Sequence, residues 1–277
     1  MTAIPTTPAT PADLPDATNP KGTAPMYALR DTWLIFHRSL ILTLRQPVWI
    51  IFGLMQPILY LVLFGPLLDA SVKAANVGQN AFNWFIPGLL IQMAVFGGAF
   101  VGFGLIAELR AGVVERMRVT PMSRIAMLFG RSLRDVVIMV VQAMLIMVVA
   151  IPFGLRIDFA GAVVTIALLI LIGLALAPLS YTAALVLKSE DALAPVVNGV
   201  ALPLLLLSGI LLPLALAPDW LKFLSTLNPL THAADAARAL FNGDWANPEI
   251  AIGAVVMGAL AILAVWLASR AFNRAVA

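Results

Sequence analysis

The sequence predicts an all-α membrane protein of six transmembrane helices, and three observations predict it. Hydrophobic residues make up 61% of the chain and charged residues only 11%, whereas a soluble domain carries about 25% charged residues to face water. The apolar residues gather in six runs: Val48–Leu68, Trp84–Ala107, Val136–Phe153, Phe159–Leu187, Ala192–Leu216 and Ile250–Ala268. Each is long enough, or nearly so, to cross about 30 Å of hydrocarbon as a helix, and none contains Asp, Glu, Lys, Arg or His. Lys and Arg also fall unevenly between the connections. With the N-terminus inside, 13 of the 17 lie on the inner side and four (Lys73, Arg156, Lys222, Arg238) on the outer. The positive-inside rule then places both termini in the cytoplasm of a multi-pass protein of the cell membrane. Trp49 and Trp266 fall at the inner interface and Trp84, Trp220 and Trp245 at the outer.

Residues 1–25 hold six prolines among Thr, Ala and Asp, a composition that opposes regular structure and reads as a disordered cytoplasmic tail. Residues 26–46 place Leu29, Trp33, Phe36, Leu40 and Leu44 at helical spacing, with Arg30, His37, Arg38 and Arg45 on the neighbouring face. That is a basic amphipathic helix suited to the membrane interface. It serves either as a plain anchor or as an additional contact for a cytoplasmic partner. Residues 47–274 form the transmembrane domain. Its fifth run carries Pro195, Pro203, Gly209 and Pro213, so a bent or broken helix is expected there. No charged-then-apolar signal peptide precedes Val48 and position 2 is Thr, so targeting falls to the helices themselves.

Composition also excludes chemistry. Without cysteine there are no disulfides or thiolate metal sites. No His, Asp or Glu cluster suggests a metal, and no hydrolase constellation appears. The net charge of +3 is accounted for by basic residues flanking apolar runs, which leaves no call for nucleic acid. No G-x-x-x-x-G-K-[ST] phosphate loop is present. The proposed spans hold no ionisable residue that could relay protons. A transporter built this way draws its energy from a separate partner, with sodium coupling through uncharged oxygens as the alternative.

The connection at 108–124 reads ELRAGVVERMRVTPMSR. Gly112 can stop the helix leaving the second span. Glu115 and Arg118 can pair three residues apart, and Thr120-Pro121 is a helix start with Thr as N-cap and Pro at the first position. Two readings are open: a solvated loop rich in positive charge, or a rigid charged helix fitting a groove in another protein. Residues 218–248 place Trp220, Phe223, Leu224 and Leu227 at helical spacing, then a second short helix over Ala233–Phe241 stopped by Asn242-Gly243. A helical cap in the outer leaflet and a surface loop are both consistent with this. Gly98-Ala-Phe-Val-Gly102 allows close helix approach and is a candidate dimer seam.

Two of these segments carry a family resemblance. ERMRVTPMSR and Leu227-Asn-Pro-Leu-Thr-His-Ala-Ala-Asp-Ala-Ala-Arg238 resemble, in order and position among six spans, the signatures of ABC-2 type transporter permeases, and most nearly the daunorubicin and multidrug-resistance exporter branch. His232 stands where that family often has Tyr. The resemblance covers residues 26–274 and implies the ABC-2 (type V ABC exporter) permease fold. It implies a separate ABC ATPase subunit that binds ATP and magnesium, so that this chain needs no cofactor of its own. It implies a second permease copy or a paralogue. Coupling to the ATPase would fall to Glu108, Arg110, Glu115, Arg116, Arg118, Thr120, Pro121 and Arg124. Pathway lining would fall to the second and fifth spans, with Gln92, Met93, Phe96, Phe100, Phe103 and Asn198 as candidates. The motif before the last span comprises Asn228, Pro229, Asp235 and Arg238. The expected cargo is a hydrophobic drug, an antibiotic or a lipid-like molecule. Export of a glycan, and a non-transporting scaffold or sensor role, are the alternatives.

Overall fold

The computed structural model describes residues 25–45, 48–74, 81–112, 124–156, 158–210 and 217–275. Every regular element among them is helical. In chain order these are α1 (Pro25–Leu44), α2 (Val48–Ala74), α3 (Ala81–Ala99), α4 (Val101–Arg110), α5 (Arg124–Ala150), a 3-10 turn (Ile151–Phe153), α6 (Phe159–Leu187), α7 (Glu190–Leu207), α8 (Asp219–Thr226), α9 (Pro229–Phe241) and α10 (Pro248–Ala275). Six stretches are long and apolar enough to cross a membrane: α2, α3 with α4, α5 with its 3-10 turn, α6, α7 and α10. The chain is therefore a multi-pass membrane protein.

α6 is the central post, packed by α3, α4, α5, α9 and α10. Asp158 caps its start, accepting from the Gly161 amide at 2.9 Å, and Lys188 ends it in the left-handed region with φ 53°. The second span is one path in two pieces. It breaks at Phe100 without a proline, and Ser180 of α6 closes the break: its hydroxyl donates to Ala99 O at 2.5 Å and accepts from Gly102 N at 3.0 Å. A side chain thus restores backbone bonds that lipid could not satisfy. The Gly98-x-x-x-Gly102 motif, a candidate dimer seam in the sequence, is instead used inside the chain. A Cβ on Gly98 would come within 2.9 Å of Leu176 Cβ, and one on Gly102 within 2.7 Å of Ser180 O, so both glycines let α6 approach.

α9 is not a surface cap. Ala233, Ala234, Ala236, Ala237 and Leu240 are fully buried among α3, α6 and α10. Two glycines on the neighbours make room for it. A Cβ on Gly161 would lie 2.1 Å from Leu240 O, and one on Gly253 2.8 Å from His232 O. Asn83 seals the same end of the bundle, donating to Phe241 O at 3.1 Å and accepting from the Arg156 amide at 3.2 Å. α8, by contrast, exposes Trp220, Phe223 and Leu224, as an interfacial helix does.

α1 lies against the opposite end of α5. Its contact line runs through buried Ile35 and Phe36, and Gly130 permits it, since a Cβ there would lie 2.8 Å from both Ile35 Cβ and Thr32 O. Of the stripe read from the sequence, Leu29, Trp33 and Leu44 stay more than half exposed, as residues facing lipid would. α5 also begins twelve residues before the apolar run at Val136. That extension carries Arg131, Arg134 and Asp135 ahead of the charge-free run on the same helix, and they face the bundle.

Candidate transport cavity and coupling site

Between α2, α3 and α5 lies a cavity of about 330 Å³. Aromatic side chains (Phe52, Tyr60, Phe96, Phe100) make up much of its wall, and three carboxamides, Gln56, Gln92 and Gln142, join them. Gln142 Nε2 donates to Ile50 O at 3.2 Å, and Gly53 leaves room for it, since a Cβ there would sit 2.7 Å from that nitrogen. Gln92 is 6% exposed, and its Oε1 has no hydrogen-bond partner among the described residues.

Of the six residues named from the sequence as pathway candidates, the structure brings together Gln92, Met93, Phe96 and Phe100 on this wall. Phe103 stacks on Phe100, ring centroids 5.5 Å apart, and continues the aromatic line across the helix break, outside the cavity. Asn198 is on α7, donating to Ala194 O of its own helix at 3.0 Å, and does not line it.

At one end of the bundle the stem of the 108–124 connection is tied in. Glu115, Arg116, Arg118, Thr120 and Pro121 lie outside the described residues, and Arg124 opens α5. Gly112 takes φ 67° and its amide bonds Leu109 O at 3.1 Å, which ends α4 as a left-handed C-cap does. Glu108 accepts from buried Arg131 of α5 at 2.5 Å, and Arg110 pairs with Glu190 of α7 at 3.1 Å. The second pair is exposed on both sides and adds little stability, but it joins the stem to the start of the fifth span.

One turn further in is a knot that the sequence reading missed. Arg134 donates to Asp135 at 2.7 Å, to Tyr181 Oη at 3.1 Å and to Thr43 Oγ1 at 3.0 Å. The Tyr181 hydroxyl in turn donates to Asp135, and Thr43 donates to Ser39 O at 3.0 Å. These side chains link α1, α5 and α6. A buried pair is tolerated only with added hydrogen bonds, and here the two hydroxyls supply them. The signal available in the sequence was an Arg-Asp dipeptide at the edge of an apolar run, with one Tyr deep in another.

The motif before the last span is a device for closing α7. The last carbonyls of a helix have no partners within it, and Gly209 (φ 68°) turns the chain out of α7. Asn228 donates to Leu204 O at 2.6 Å, Thr231 to Leu207 O at 3.4 Å and Arg238 to Gly209 O at 2.8 Å. Asn228 also caps α9, accepting from Leu230 N at 3.1 Å, with Pro229 at the first helical position. Asp235 holds Arg238 at 3.0 Å, and the guanidinium lies 4.4 Å over the Trp84 ring. Burial raises the Asp235 carboxyl above the ordinary carboxylate range and lowers the Arg238 guanidinium. Beside them, His232 meets Glu249 Oε2 at 3.0 Å through Nδ1 and Thr226 O at 3.1 Å through Nε2. Both ring nitrogens face acceptors, so the geometry suits imidazolium. The hydrogen bond to Glu249, then that to Thr226 O, raises the His232 pKa, with burial opposing. Among the described residues no group of three or more His, Asp or Glu could hold a metal.

Residues 30–242 match the model of the family described as ABC-2 type transporter. The chain belongs to this family. It is thus the transmembrane permease of an ABC transporter, a family that works with an ABC ATPase. Among the relatives of this permease is a putative transport permease ycf38 of Cyanophora paradoxa, 31% identical over 78% of this chain and 76% of the relative. The daunorubicin resistance ABC transporter permease protein DrrB1 of Streptomyces coeruleorubidus is 26% identical over 80% and 77%. The probable multidrug ABC transporter permease YbhR of Escherichia coli is 23% identical over 64% of this permease and 51% of its own length.

Proposed function

We propose that this permease exports a hydrophobic, drug-like cargo, driven by ATP hydrolysed in a separate ATPase subunit that docks on the 108–124 connection. Both termini lie in the cytoplasm, and the permease pairs with a second copy or a paralogue. ATP binding brings the ATPase subunits together, the connection is pushed, and the pathway changes from inward-facing to outward-facing. The observation that carries this reading is the tied stem. Glu108–Arg131 and Arg110–Glu190 join the connection to the third and fifth spans, so a displacement there reaches both. Gln92, Met93, Phe96 and Phe100 are the residues proposed to meet cargo, and the names of the DrrB1 and YbhR relatives support a drug as that cargo.

The test is co-expression of the full chain with the ABC ATPase subunits of its own organism, followed by affinity purification. Wild type retains an ATPase, and the double reversal Glu115→Arg/Arg118→Glu loses it. A wild-type chain that retains none overturns the coupling reading.

A further inference from the structure

The wall of the α2–α3–α5 cavity is chemically specific beyond being hydrophobic. It carries three carboxamides, and Asp, Glu, Lys, Arg and His are absent from its lining among the described residues. Glutamine inside a membrane helix is unfavourable unless its amide is met by a partner. Gln142 is met by Ile50 O. Gln92 is buried and its carbonyl oxygen is not met. The terminal torsion of a glutamine is soft, so a donor arriving in the cavity can meet that oxygen. The cavity also has a way in from the side. Phe52 is 58% exposed on α2, and Gly97 on α3 has no heavy atom within 4 Å of where a Cβ would stand.

We propose that this cavity binds a neutral amphiphile, an aromatic or alkyl body within about 330 Å³ that carries a hydrogen-bond donor for Gln92. The role of such binding in export rests on the function proposed above, but the binding itself does not. Charge is selected against by what is missing. A cation would leave water with no carboxylate to receive it, and the ring faces of Phe52, Tyr60, Phe96 and Phe100 return only part of that loss. A hydrocarbon of the same shape fills the volume and leaves the Gln92 oxygen as it was.

The experiment needs the full chain alone, purified into phosphatidylcholine nanodiscs. It is photolabelled with a diazirine-bearing alkylphenol, in competition with 2,6-diisopropylphenol, 1,3-diisopropylbenzene or phenyltrimethylammonium. The label is expected within residues 52–60 and 89–100. The phenol is expected to compete at least about fivefold better than the hydrocarbon, which is one net hydrogen bond, and the ammonium is expected not to compete. Gln92→Leu brings the phenol down to the hydrocarbon. If the hydrocarbon or the ammonium matches the phenol on wild type, or if the label falls elsewhere, the proposal is overturned whatever the variant does. Because no ATPase is present, that failure is distinct from a failed co-purification, which would strike the export reading and leave this site standing.

Discussion

Arg134 is the residue whose loss the structure makes most expensive. Replacing it with Met keeps the length and apolar stem but removes the partner of Asp135, whose side chain is 12% exposed. It also removes the bonds to Tyr181 and Thr43. Leaving a buried charge without its partner costs about 3–5 kcal/mol. The two bonds to hydroxyl acceptors add about 0.6 kcal/mol each at the value typical of membrane helices. Arg134→Met should therefore destabilise by roughly 4–6 kcal/mol. Asp135→Asn, which strands the guanidinium, should cost about as much. The double variant Arg134→Met/Asp135→Asn strands no charge and should sit within about 2 kcal/mol of wild type. The cycle then shows a coupling of several kcal/mol, well above the 0.5 kcal/mol scatter of independent sites. Denaturant titration of the purified chain in mixed micelles, followed by tryptophan fluorescence, reads all four proteins, and the six tryptophans give the signal. Single variants within 1 kcal/mol of wild type, or a double variant as damaged as the sum of the singles, would refute the knot as a charged unit.

Two further outcomes follow from geometry at the other end. Gly161→Val places carbon 2.1 Å from the Leu240 carbonyl, forces α6 and α9 apart, and should cost about 2–3 kcal/mol in the same titration. Gly258→Ala, where a Cβ meets open space, should be neutral or slightly stabilising; equal effects of the two would contradict the packing of α9. His232 has a raised folded pKa through Glu249, with Asp235 as a second nearby carboxylate. Its contribution is complete below about pH 6.5 and fades as pH rises through the raised folded value. With both side chains partly exposed it is about 0.5–1 kcal/mol. Thermal unfolding between pH 5.5 and 9 should show wild type losing this advantage over His232→Gln at the alkaline end, and superimposed profiles would remove the clamp.

What the sequence made legible was whatever local chemistry decides. α6 runs over the same residues as its apolar stretch because Asp158 and Lys188 bracket it. Gly112, Gly209 and Gly243 all adopt positive φ where the sequence marked a stop or a break. The missed features depend on partners distant in the chain. A hydropathy reading shows where the third apolar run starts, but not what Arg131, Arg134 and Asp135 ahead of it pair with. Glu108 of α4 makes the burial of Arg131 tolerable, and Thr43 and Tyr181, brought in by α1 and α6, do so for Arg134 and Asp135. The break at Phe100 lies among Gly97, Gly98, Gly102 and Gly104, which weaken the helix locally, but the hydroxyl that closes it belongs to Ser180, 80 residues away. Ala233–Phe241 looks like a surface helix with its Asp and Arg. It is buried because two glycines on other helices leave room and because Arg238 bonds the Gly209 carbonyl at the end of α7.

The account depends on the 108–124 connection facing the cytosol and receiving the ATPase. The chain has no cysteine, so Arg118→Cys gives a single reactive site for a membrane-impermeant maleimide. Labelling should occur in inverted vesicles, fail on intact cells, and fall when the ATPase subunit is bound. Labelling from the cell exterior, or equal labelling with and without the ATPase, would contradict it.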